Sequence, residues 1–174
     1  MVYQELVERE FWDADEALTA VYSAHYATLV RLGALLLHDA GAAEEIVQDA
    51  FVAMHGRWHR LRDPDKALAY LRTTVVNRCR SRHRHLSVVG RNTPRTLPDE
   101  PSAEQAAMAN AATDAVIAAM RSLPEKQRTV MVLRYYGDLS EAEIADTMGI
   151  SRGAVKSHAA RAAKSLRLAL EPLS

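Results

Sequence analysis

Residues Leu139–Leu166 read LSEAEIADTMGISRGAVKSHAARAAKSL, and each part of the run answers a separate physical requirement. Ser140 with Glu143 three residues on forms a capping box that starts a helix, and Ile144, Ala145 and Met148 then fall on one buried face. Gly149 can take the left-handed conformation that ends that helix and turns the chain sharply. Ile150 plugs the corner, Ser151 can cap the next helix, and Val155 anchors it inward. Small Ala145 lets the two helices cross closely. Arg152, Gly153, Lys156, Ser157, His158 and Arg161 are left near the outward side of the second helix, which suits a recognition helix lying in a major groove. A plain helical hairpin with merely solvated cations would not need the small residue, the glycine and the apolar plug together, so the run is read as a DNA-binding helix-turn-helix.

The chain has 174 residues, 48% of them apolar, with few aromatics. That bounds it to one domain or two small ones, mostly helical. Its single cysteine, Cys79, excludes an intramolecular disulfide. The N-terminus lacks a secretory signal, and the longest purely apolar stretch, near Leu35 to Leu37, is far short of a membrane span. A cytoplasmic protein without membrane contact is expected.

Net charge is zero, yet the charges are segregated. Residues 1–53 hold 2 Lys and Arg against 10 Asp and Glu, whereas residues 54–95 hold 11 against 2. Residues 96–119 hold 0 against 4, and residues 120–174 hold 9 against 6. The first basic block also carries His55, His59, His83 and His85, and such a density of cations is better explained by phosphate contacts than by a solvated face.

Periodicity divides the chain along the same lines. Ala17 to Leu37 is an amphipathic helix, and Asp39 can cap the next. There Ile46, Val47, Ala50, Phe51, Met54 and Trp58 are expected to line the core while Glu44, Glu45, Gln48 and Asp49 make an acidic surface. Asp63-Pro64 restarts a helix that is expected to run to about His85. Leu68, Leu71, Val75 and Cys79 form its apolar stripe, and Tyr70, Thr73, Asn77, Arg80 and Arg84 the opposite one. From Leu86 the pattern breaks around Pro94, Pro98 and Pro101 into a linker. Helical periodicity resumes at Ala106 through Val116, Ile117 and Met120, restarts at Leu123-Pro124, and continues with Val130, Leu133 and Tyr136. The expected fold is all-α, with two small helical domains, 1–85 and 106–174, joined by a flexible linker over 86–105.

The succession AAEEIVQDAFVAMHGRW, YLRTTVVNRCRSRHR and LPEKQRTVMVLRYYGDLSEAEIADTMGISRGAVKSHAARAAKSLR resembles bacterial RNA polymerase sigma factors of the extracytoplasmic-function (ECF) type from Ala17 to Leu168. VVN followed by RSR, with VKSH later, is most similar to the actinobacterial SigE-like subgroup. The resemblance implies that the first domain is sigma region 2 and the second sigma region 4. It implies core polymerase binding by Glu44, Glu45, Gln48 and Asp49. His59, Arg60, Leu61, Arg62 and Asp63 would hold a base flipped from the −10 non-template strand, and Asn77, Arg80 and Arg84 would contact that strand. Arg152, Lys156, Ser157, His158 and Arg161 would approach the −35 duplex. Core RNA polymerase and promoter DNA are the implied partners, with an anti-sigma protein as a further one. The chain departs from many members at Ser81, where Asp is common, at His158, where Arg is common, and at Ala159, where a larger apolar residue is common.

No catalytic site is expected. His55 with His59 and Cys79 with His83 have helical spacing but no third ligand, so no metal is assigned, and no phosphate-cradling glycine loop implies a cofactor. The competing reading is a stand-alone helix-turn-helix regulator of response-regulator output type. It would require a parallel sheet before the helix-turn-helix, and residues 1–85 have helical periodicity instead.

Overall fold

The computed structural model describes residues 2–61, 63–89 and 111–171, with side chains from Asp15 onward except at 64, 89, 111 and 112. Among these residues every regular element is a helix, which makes the chain all-α. Internal contacts gather into two compact units, Met1–Cys79 and Arg80–Ser174, divided within one helix.

In the first unit α1 (Val2–Leu37) begins well before Ala17. It ends at His38, whose φ of 59° is left-handed and tolerable for histidine. Asp39 then caps α2 (Ala40–His55), its carboxylate accepting from the Ala42 N–H at 2.9 Å. The two helices pack along each other through Leu29, Leu32 and Leu36 of α1 and Ala43, Ile46, Val47 and Ala50 of α2, all buried. Gly33 lets them approach closely, since a Cβ there would meet that of Ala43 at 3.0 Å.

Two sequence expectations need correction here. Trp58 does not belong to the core stripe of α2: Gly56 closes that helix, the phase is lost, and Trp58 opens the short α3 (Trp58–Leu61) half-buried. The segment Asp15–Leu37 is long and apolar enough, by length and composition, to cross a membrane. It nevertheless buries Leu18, Val21, Leu29, Leu32 and Leu36 on one face, as a core helix does.

Helix α4 (Pro64–Val89) starts where Asp63 accepts from the Asp65 N–H at 3.0 Å. It buries Ala67, Leu71, Val75, Val76 and Cys79, with Leu68 at the margin. It continues past His85 with Leu86 and Val88 exposed and the Ser87 hydroxyl donating to Arg84 O at 2.8 Å, so its last turn leaves no apolar periodicity to read. The remainder of the linker expected over 86–105 lies outside the described residues.

The second unit contains α5 (Ala111–Ser122), α6 (Glu125–Tyr135), α7 (Glu141–Met148) and α8 (Arg152–Leu170). Helix α8 packs on the other three. Leu123, Met131 and Ala162 form one apolar cluster, with Met120 and Leu166 against it. Val130, Leu133, Ile144 and Val155 are fully buried. Arg128 is buried as well and donates to the carbonyls of Arg121 and Leu123, both at 3.3 Å, which ties the end of α5 to α6. Burial holds its guanidinium below the usual arginine range, and Glu125 opposes that shift.

Candidate functional site

The helix-turn-helix is assembled from local backbone devices. Ser140 Oγ accepts from the Glu143 N–H at 3.3 Å while the Glu143 carboxylate accepts from the Ser140 N–H at 2.8 Å, completing the capping box. Gly149 has φ 64° and ψ 39°, a left-handed conformation that L side chains resist. The Ile150 N–H then donates to Ala145 O at 3.1 Å, and Ser151 caps α8 by accepting from the Ala154 N–H at 3.1 Å. Val155, Ala159 and Ala162 face inward.

That register leaves Arg152, Lys156, Ser157 and Arg161 exposed. His158, three residues after Val155, lies at the edge of the inward stripe and is half-buried, and its buried Nδ1 has no partner among the described residues. Burial, followed by the charges of Lys126 and Arg161, holds its imidazole below the ordinary histidine range. Lys156 Nζ lies 3.8 Å from Glu141 Oε2, and Glu141 Oε1 accepts from Arg134 Nη2 at 2.9 Å.

In the first unit, Glu44, Glu45, Gln48 and Asp49 are all exposed on α2, opposite its buried face. Asp49 is already engaged, accepting from Arg78 Nη1 at 2.9 Å. Val52 lies three residues beyond Asp49 and four beyond Gln48, so it shares the acidic face, and it is 73% exposed.

His59 and Arg60 are exposed and Leu61 and Asp63 half-buried, whereas Arg62 lies outside the described residues. The Arg57 guanidinium sits 5.8 Å above the Tyr70 ring, which draws the start of this basic turn onto α4. Asn77 is exposed. Arg80, within the second unit, donates to Glu125 Oε1 and to Met148 O, each at 3.0 Å. Arg84 is exposed and donates to Ser81 Oγ at 3.3 Å. Among the described residues no group of three metal-ligating side chains gathers.

Comparison with known proteins matches residues 21–88 to Sigma-70 region 2 and residues 113–166 to Sigma-70, region 4. The RNA polymerase sigma-E factor of Streptomyces antibioticus is 37% identical over 148 residues, covering 82% of this chain and 78% of that protein. The chain belongs to the ECF sigma factors. The ECF RNA polymerase sigma factor SigL of Mycobacterium tuberculosis is 32% identical over 162 residues, 90% of each protein. The fold is also that of the sigma factor RpoE from Bartonella quintana, solved in complex with the anti-sigma factor NepR, with a TM-score of 0.64 at 19% identity over 93% of this chain and 99% of that one.

As a sigma factor the protein binds core RNA polymerase and promoter DNA and directs initiation, a non-enzymatic role. Within that frame, several residues escaped the sequence reading. Lys164 is exposed three residues after Arg161 and extends the outward stripe of α8. Its spacing could have revealed it. An apolar residue at an outward register position was the available signal for Val52. Arg78, Arg134 and Glu141 act through contacts between helices and had no local signal.

Proposed function

We propose that the two units divide promoter recognition between them, with α8 reading the −35 element as duplex and the first unit joining core polymerase to the −10 element. The observation that carries this reading is the register of α8. Its inward residues leave Arg152, Lys156, Ser157 and Arg161 exposed along one side of a helix presented by a capped, left-handed turn. His158 contributes from the edge of that side.

Glu44, Glu45, Gln48 and Asp49, around exposed Val52, form the surface for core polymerase. His59, Arg60, Leu61, Arg62 and Asp63 hold the flipped −10 base, with Asn77 and Arg84 along the non-template strand. Arg80 lies along the same strand. The functional domains are taken as 1–85 and 106–174, and the protein is placed in the cytoplasm, where its template lies, within a group similar to the actinobacterial sigma-E factors. An anti-sigma protein is proposed to hold it inactive, as NepR accompanies the Bartonella factor. Recovery of only free protein after crosslinking in unstressed cells would overturn that last point.

The test is transcription of a genomic fragment pool by purified core polymerase, with and without the protein, followed by mapping of new 5′ ends. New starts sharing upstream −10 and −35 sequences are expected. Duplex binding without any new start would favour the stand-alone regulator.

A further inference from the structure

Glu141 is a carboxylate at a place where a DNA-docking surface ought to repel one. It is the first residue of α7, the helix that crosses the phosphate backbone in this motif. One oxygen accepts from Arg134 of α6 at 2.9 Å and the other lies 3.8 Å from the Lys156 ammonium of α8. The side chains of Arg134 and Glu141 are 32% and 26% exposed, while that of Lys156 is 67% exposed. The short, more sheltered contact therefore fixes the carboxylate, and the fixed carboxylate faces the exposed lysine.

A lysine on a four-carbon stem, left alone, settles on the nearest phosphate whatever the sequence. A carboxylate beside its ammonium cancels part of that pull, so that contact with base edges weighs more in where the ammonium settles. We propose that Glu141 is a positioning residue that determines −35 specificity, acting through Lys156 and itself held by Arg134. This rests on α8 being the −35 recognition helix.

The test uses holoenzyme reconstituted from the full chain and core polymerase. It is titrated over a salt series with a promoter duplex bearing a mapped −35 element and with the same duplex carrying that element scrambled. Glu141→Gln keeps an oxygen for Arg134 and removes the charge. Affinity for the scrambled duplex should rise about threefold and discrimination fall by a similar factor, in the range of exposed ion pairs. The salt slope should steepen by at most about 0.9, one phosphate's worth.

Lys156→Met should lower discrimination in the parent and far less in the Glu141→Gln background, because the two side chains act as one unit. Unchanged discrimination and slope would overturn the proposal. So would an equal loss on both duplexes with a lower melting temperature, which marks a merely structural residue. If the parent holoenzyme itself fails to distinguish the duplexes and Lys156→Met changes nothing, the assignment of α8 falls first and takes this proposal with it.

Discussion

In the helix-turn-helix, what decides function is backbone: a capping box at Ser140, a left-handed Gly149 and a cap at Ser151 fix which side of α8 faces outward. On α2 the backbone is an ordinary helix, and what distinguishes it is the set of side chains left outside. There Glu44, Glu45 and Gln48 lie exposed on the turns before Val52, and Asp49 is tied to Arg78. The first surface is built by folding and the second by composition. Mutations should therefore fail differently in the two, through geometry in one and through chemistry in the other.

The largest expected effect tests the chemical side. Glu44→Lys with Glu45→Lys should weaken core polymerase binding about 100-fold or more, as reversal of interfacial charge does. The melting curve should stay with the parent, because both side chains are exposed. Titration of labelled core and thermal unfolding on the same samples measure both, and a matching loss of stability would break the distinction. Asp49→Asn should cost less than Glu44→Gln, since Arg78 already occupies Asp49.

Val52→Ala sharpens the same point. A valine 73% exposed contributes little to the fold, but if it packs against the partner its truncation should weaken core binding by about 1–2 kcal/mol. Binding equal to the parent's would restrict the α2 surface to electrostatics.

Gly149→Ala probes the geometric side. Nothing lies within 4 Å of where its Cβ would be, so the penalty is backbone strain alone, about 1–2 kcal/mol for a left-handed L residue. In a chain of this size that lowers the melting temperature by about 2–8 °C. Discrimination at the −35 element should fall with it while core binding stays unchanged. Unchanged discrimination would mean that this turn does not set the register of α8.

These contrasts also explain what could be read from the sequence. Caps, the glycine turn and the faces of α2 are local, so their signals lie within a few residues of one another, and Ser140, Gly149, Asp39 and Asp63 were identifiable by type and spacing. Trp58 was misplaced because one glycine reset the helical phase. The turn after His85 was missed because its apolar residues are exposed. The Arg78–Asp49 pair and the Arg134–Glu141–Lys156 group join residues from different helices, and no spacing rule reports which of many exposed charges will meet.

His158 belongs partly to both kinds of surface, and it gives the smallest effect. Its register places it beside the residues proposed to face DNA, yet its imidazole is half-buried near Lys126 of α6 and Arg161 of α8. Its folded pKa is therefore held below the unfolded value of about 6.5. Above that value the group is neutral in both states and stability is fully present. As pH falls below it, the unfolded chain takes up a proton that the fold resists, and stability declines until the folded pKa is passed. Melting temperatures between pH 7.5 and 5 should fall more for the parent than for His158→Gln. Parallel curves would mean that His158 is solvated and takes up its proton equally in the folded and unfolded chain.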